Sequence, residues 1–454
     1  MGLIIILIPD YLIIERIRMS TLNNTVKQVV IVGGGFAGIN AAKALGNQRD
    51  VQVSLIDRNN FHLFQPLLYQ VASAALSPAE IASPIRGILS RYSNIKVFMG
   101  NVNSIDFESK NVLTDTCNHN YDYLILACGS RQSYFGHDDW EVHAPGLKSI
   151  EQALDMRRRV LTSLELAECE TDPLLRDKYL TFAVIGGGPT GVELAGALAE
   201  MTRYSLIKDF RNIDTGQTRI VLLEAGPRVL ASFSEELSQH AKQDLTSLGV
   251  EVLTGSRVTD ITADKIEITG QTIHTNTIMW AAGVQPAKLT NSLGLELTVG
   301  GRIGVGTDLS STKHTNVFVA GDQSGFMTED QKHLPGTAPV AVQQGQHIAK
   351  TILSEIRGGS RNPFVYKDKG QMATIGRNRA VVSTRSFNLK GVLAWWVWLF
   401  THILYLSGFK NRLFVFWDWT WSYLTFERGA RIIFTSVLKT QDAGDRDSSV
   451  DGQF

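Results

Sequence analysis

Two glycine runs are where this chain could do chemistry. Gly33, Gly35 and Gly38 stand in G-x-G-x-x-G spacing behind the β-branched run at residues 29–32, and Gly186, Gly188 and Gly191 repeat the spacing behind residues 182–185. In such a unit the first glycine permits a tight turn, the second lets backbone approach a pyrophosphate, and the third lets the following helix pack on the strand. The helix then points its free N–H groups and partial positive charge at the phosphates. Asp57 and Glu224 each end the next hydrophobic strand, where a carboxylate accepts from ribose hydroxyls. A glycine run alone is weak evidence. Strand, glycines, helix, strand and acid in order, twice, imply two dinucleotide sites. They could hold FAD and NAD(P), or one could be vestigial.

Several elements must position these residues. Residues 37–45 and 190–201 read as the two cradle helices, with Pro189 at a natural first helical position. The turns Ala127-Cys-Gly129 and Ala281-Ala-Gly283 follow buried strands and let the chain pass close to a cofactor. Residues 95–99, 102–107 and 111–114 read as short antiparallel strands, and 150–170 as a helix leading away. A strand at 317–319 runs into Gly321-Asp322, and a helix opens at Pro339 and continues to about Ile356. Its N-terminus would stabilise a reduced, negatively charged flavin by about 0.3–2 kcal/mol. Glu224 favours NADH, because a carboxylate repels the 2′-phosphate of NADPH, although Arg219 and Arg228 lie close in sequence.

At 454 residues the chain exceeds one core. The expected fold is α/β: two Rossmann-like dinucleotide-binding domains plus a C-terminal amphipathic helical module. The expected boundaries are an extension at 1–26, a first dinucleotide-binding domain at 27–147 and 300–366, a second at 148–299, and the module at 367–454. Lysines and arginines equal acidic residues at 44 each, so nothing points to nucleic acid. Cys117, Cys128 and Cys169 form neither a C-x-x-C pair nor a metal-ligand cluster. That argues for a reduced compartment, against a flavin-linked dithiol and against a metal site. Residues 2–8 and 11–14 are apolar but interrupted by Pro9 and Asp10, and Met19 is an alternative start.

The motif order resembles the type II NADH dehydrogenases. It is carried by Phe61-His-Leu-Phe-Gln-Pro-Leu-Leu-Tyr-Gln-Val-Ala72, Gly186-Gly-Gly-Pro-Thr-Gly-Val-Glu193, Trp280-Ala-Ala-Gly-Val284, Ala320-Gly-Asp322, Ala341-Val-Gln-Gln-Gly345 and Gly408-Phe-Lys-Asn-Arg-Leu413, and it spans roughly residues 27–434. The resemblance implies a single-subunit NADH:quinone oxidoreductase with non-covalent FAD that pumps no protons, in an electron-transport chain. It implies FAD contacts at Gly33, Gly35, Phe36, Ala37, Gly38, Asp57, Arg58, Gln65, Val102 (near the adenine), Ala127, Gly129, Gly321, Asp322 (on the ribityl chain) and Ala338. NADH contacts are implied at Gly186, Gly188, Pro189, Thr190, Gly191, Glu224 and Gly283. Glu193 would lie beside nicotinamide and flavin, with Lys369 near the proton path; either could relay protons to the quinol. The family's Ala-Gln-x-Ala-x-Gln pattern appears as Ala338-Pro-Val-Ala-Val-Gln343, so Pro339 replaces the first glutamine, while Gln343 and Gln344 stay available to a quinone head group.

The C-terminal module says where electrons go. Six of the eight tryptophans lie within residues 391–431. Residues 391–409 are nearly charge-free but interrupted by Thr401, His402 and Ser407, and Trp and Tyr prefer the membrane interface. Lys390, Lys410, Arg412, Arg428 and Arg431 outnumber Asp418 and Glu427, which suits anionic head groups. Two helices lying in one leaflet fit better than a crossing; a homodimer interface is the alternative cover. The expected partners are a quinone from the bilayer and the membrane surface, on the cytoplasmic face of the cell membrane. Two rivals stay open: a soluble NADH:acceptor reductase, and an NADH-sensing flavoprotein without turnover.

Overall fold

The computed structural model of the chain describes residues 26–406, 408–425 and 429–433. The N-terminal extension, Met19 and the tail beyond 433 lie outside them. The chain divides into two compact units. Among the described residues, one comprises 26–63, 82–131 and 284–369; the other comprises 64–81, 132–283 and those from 370 on.

The first unit is built on five parallel strands in the order Val317–Val319, Tyr123–Leu126, Lys27–Val32, Val51–Asp57, Ile95–Met99. Tyr123–Leu126 is buried at every position, as its unbroken apolar run requires for a strand covered on both faces. Ile95–Met99 departs from the antiparallel expectation: it pairs Val53 with Ile95 in parallel, the short Ile85–Leu89 helix supplying part of the crossover. The expected antiparallel ladder is instead Val102–Asp106, Asn111–Thr114 and Asn118–Asn120. Helices Phe36–Leu45 and Ala338–Ile356 share one core cluster with the sheet. They cross so closely that a Cβ on Gly345 would fall 2.2 Å from the Ala37 carbonyl oxygen.

The second unit repeats the plan with four parallel strands, Val250–Thr254, Arg219–Glu224, Thr181–Ile185 and Thr277–Trp280. Its cradle helix is Pro189–Glu200. The C-terminal module is part of this unit. A Cβ on Gly196 would sit 1.8 Å from the Ile375 carbonyl oxygen, so strand Gln371–Gly376 lies directly on the cradle helix. The expected boundaries differ accordingly: 132–147 and 64–81 belong with the second cradle, and 284–299 with the first.

Helices Gly391–Tyr405 and Phe409–Thr425 close the module. Fifteen residues rise only about 22 Å, against about 30 Å of bilayer core. No helix among the described residues is long and apolar enough to cross a membrane.

Candidate active site

The two cradles have the same geometry, and each glycine has a distinct reason to be glycine. Gly33 and Gly186 take φ of +107° and +112°, and a Cβ there would lie 2.2 Å from Ala127 O or 2.7 Å from Ala282 N. Gly38 and Gly191 touch the turn: their Cβ atoms would fall 1.8 Å from the carbonyl oxygens of Gly33 and Gly186. Gly35 and Gly188 differ, because a Cβ on either would meet nothing within 4 Å. Their bareness leaves open space above a helix N-terminus, where a pyrophosphate fits. Ala37, Thr190 and the N1 proline Pro189 continue these first turns.

Each strand-end acid also ties its own glycine loop. Asp57 Oδ2 accepts from Gly34 N at 2.6 Å and Oδ1 from Asn59 N at 2.7 Å. Glu224 Oε2 accepts from Gly187 N at 2.6 Å and Oε1 from Gly226 N at 2.6 Å. Burial raises the Asp57 carboxyl, and those backbone donors with the Arg58 charge oppose it. Arg219 pairs with Glu251 at 2.8 Å and Arg228 bonds the Phe233 and Ala231 carbonyls, so both cations near Glu224 in sequence have other partners.

Around the first cradle the structure gathers most of the expected FAD residues. The Asp57 carbonyl accepts from Gly100 N, which brings Val102 to the acid's end of the sheet. Phe36 packs edge-on against His62, whose ring bonds Gly34 O. Gly129, at φ +69°, faces open space. Ser130 Oγ donates to Asp322 at 2.5 Å, while Gly321 and Ala338 stand at the N-terminal end of the Ala338–Ile356 helix, with Ala341 3.6 Å from a Cβ on Gly321. This set fits a dinucleotide whose second half runs toward that helix.

Four further expected residues have these surroundings. Gln344 is buried, and its oxygen accepts from Gly321 N at 2.7 Å. Gln343 exchanges two bonds with the Lys367 backbone, at 2.9 and 3.0 Å. Both glutamines tie backbone together, each oxygen accepting one of these bonds. Gln65 belongs to the second unit, its amide reaching Lys148 O at 3.4 Å. Lys369 is exposed on the first.

Glu193 lies on the second cradle helix and lines a cleft of about 110 Å³ with Tyr69, Gln70, Thr374, Trp398 and Trp419. Burial pushes its carboxyl up to about 8, against a 3.4 Å bond from Thr374 N and the pull of the Trp398 indole, so it is protonated at neutral pH. Trp398 is 3% exposed, and its Nε1 has no partner at ordinary bonding distance. Trp419 Nε1 donates to Gln70 Oε1 at 2.8 Å, and the two indoles pack 5.3 Å apart. His402, also packed on Trp398, is pushed down to about 4 by burial and is neutral. These tryptophans face inward, unlike the interface tryptophans expected. The signal was present: Trp395, Trp398, Leu399 and His402 follow i, i+3, i+4, i+7 spacing.

The outer face of the same helices is apolar and exposed, with Leu393 at 69%, Leu404 at 66% and Trp417 at 66%. Two of the five cations expected to meet head groups are instead paired within the protein, Lys390 with Glu236 and Arg431 with Asp209. Arg412 bonds Leu406 O, Arg428 lies outside the described residues, and the Lys410 side chain is not described. All three cysteines are free; burial pushes the Cys128 thiol up to about 12, which suits an inert filler beside the cradle.

Comparison with known proteins places this geometry. Residues 27–345 match the model of the pyridine nucleotide-disulphide oxidoreductases, and residues 369–428 that of the NDH2 C-terminal domain. The chain is 42% identical to the type II NADH:quinone oxidoreductase Ndh of Mycobacterium tuberculosis, over 88% of this chain and 89% of the other. It is 30% identical to an internal alternative NAD(P)H-ubiquinone oxidoreductase of Arabidopsis thaliana, over 86% and 83%. The fold matches that of NDH2 from Plasmodium falciparum in complex with NADH with a TM-score of 0.83, at 21% identity, covering 90% of this chain and all of that one. The chain thus belongs to the pyridine nucleotide-disulphide oxidoreductases and, within them, to the type II NADH:quinone oxidoreductases.

Proposed function

We propose that this protein binds FAD in the first cradle and NADH in the second, and catalyses NADH + H⁺ + quinone → NAD⁺ + quinol at a membrane surface without pumping protons. The observation that carries this is the pair of cradles whose middle glycines, Gly35 and Gly188, face open space, combined with cysteines that form no pair. FAD held in the first cradle would supply the two-electron redox chemistry. This chain's residues do the rest. Asp57 and Glu224 hold their loops open and accept from ribose hydroxyls, and Glu224 selects against a 2′-phosphate. The Ala338–Ile356 helix presents its N-terminus toward the Gly321–Asp322 end of the first site, where fixed dipoles favour negative charge.

Quinol formation consumes a proton from solution. Glu193, neutral at pH 7 and set in a cleft of indoles and amides, is suited to donate one. The exposed apolar face of Gly391–Tyr405 and Phe409–Thr425 supports docking in one leaflet on the cytoplasmic side, where NADH is found, as a peripheral protein. The test is NADH oxidation by the FAD-loaded full chain on liposomes with and without quinone, and with NADPH in place of NADH. The expected result is quinone-dependent oxidation preferring NADH. Equal turnover with soluble dyes and none with bilayer quinone would favour the soluble reductase; tight NADH binding without turnover would favour the sensor.

A further inference from the structure

Phe135 has no place in the mechanism above, yet the second unit goes to some length to hold it. Its backbone φ is +54°, a left-handed conformation that bulky residues rarely adopt, and Gly136 beside it takes +100°. The segment before it is stapled to the end of strand Thr277–Trp280. Gln132 Nε2 donates to Ala282 O and Gly283 O at 2.7 and 2.8 Å, Ser133 N to Gly283 O at 3.3 Å, and Trp280 Nε1 to Ser133 O at 2.9 Å. All this supports a ring that is 67% exposed. An aromatic residue gains little from packing at that exposure, so burial does not explain it.

Its location offers a reason. The ring lies on Gly283, where a Cβ would fall 2.5 Å from its Cζ, and its centroid is 6.3 Å from that of Trp280. In the sheet, Thr277–Trp280 borders Thr181–Ile185 on one side, and Arg219–Glu224 borders it on the other. A dinucleotide with its pyrophosphate at Gly188 and its adenosine ribose at Glu224 therefore extends its other half over the end of Thr277–Trp280. Gly283 is bare there, and Phe135 stands above it. We infer that Phe135 is a binding residue for the nicotinamide of NADH, offering its ring face to the nicotinamide ring. This rests on the assignment of the second cradle to NADH. The strained φ holds the ring in place before the substrate arrives, which lowers the ordering cost of stacking.

The experiment compares NAD⁺ with ADP-ribose, which lacks only the nicotinamide, by calorimetry on the FAD-loaded full chain. Phe135→Ala is expected to raise the dissociation constant of NAD⁺ about tenfold, the worth of one aromatic contact, and to leave that of ADP-ribose unchanged. Phe135→Tyr keeps the ring and should bind both like the unmodified chain. Phe135→Leu, which fills the same space without a π face, should weaken NAD⁺ alone and serves if the alanine form does not fold. Equal weakening of both ligands, or no weakening of either, overturns the proposal. Failure of the unmodified chain to bind ADP-ribose overturns the NADH assignment itself and the proposal with it; ADP-ribose binding with Phe135 indifferent overturns the proposal alone.

Discussion

Replacing Glu193 with glutamine tests how far the cleft sets the protonation of its acid. Burial raises the carboxyl from 4.5 to about 8. Because the folded value lies above the unfolded one, the associated stability is fully present below about pH 4.5 and is lost as pH rises through about 8. At about 1.4 kcal/mol per pH unit, the loss between pH 5.5 and 9 has a ceiling of about 3 kcal/mol, reduced by whatever water enters the cleft. Glutamine keeps the shape and never ionises, so its stability lacks this loss. Guanidinium unfolding followed by tryptophan fluorescence at both pH values should show the Glu193→Gln form gaining on the parent by about 1–3 kcal/mol as pH rises. In the parent, quinone turnover should fall as pH passes about 8. Parallel stability curves, within about 0.5 kcal/mol across this range, would show that the cleft does not hold Glu193 neutral.

Three further perturbations separate the parts. Gly35→Ala should fold but lose bound flavin, because its methyl enters only open space, whereas Gly38→Ala, 1.8 Å from a carbonyl, should fail to fold; flavin absorbance per protein and thermal unfolding distinguish them. Glu224→Gln puts an amide donor against one of two backbone donors, Gly187 N or Gly226 N. It should raise KM for NADH about tenfold and narrow the NADH to NADPH ratio with flavin content unchanged. Burial and the Asp418 carboxyl raise Glu80 to about 7, a contact favoured at low pH and lost as pH rises through 7. Proteolysis within Phe409–Thr425 should therefore quicken above pH 7, and Glu80→Gln should flatten that dependence.

Much of this was legible because it is written in backbone chemistry. A glycine at each cradle position has one steric reason to be there, so Gly33, Gly35, Gly38 and their second copies could be placed from spacing alone, as could Pro189 at a helix start. Residues 95–99 were harder: only partly buried, at the sheet edge, they carry no unbroken apolar run to mark a parallel strand. Side-chain bonds between distant segments were not legible at all. Nothing in Ala341-Val-Gln-Gln-Gly345 announces that Gln344 accepts from Gly321 or that Gln343 clamps Lys367. Composition misled in one place. A tryptophan-rich, weakly charged tail suggests lipid, and its outer face fits that, but Trp398 and Trp419 are turned into the cleft that holds Glu193.

The most direct test of the account is anaerobic, in two mixings with the full chain on quinone-containing liposomes. NADH added first should bleach the flavin absorbance completely, and quinone added next should restore it, with one quinol formed per NADH consumed and no acidification or alkalinisation of the vesicle interior. Flavin that NADH bleaches but bilayer quinone fails to reoxidise, with NADH still bound, would contradict it.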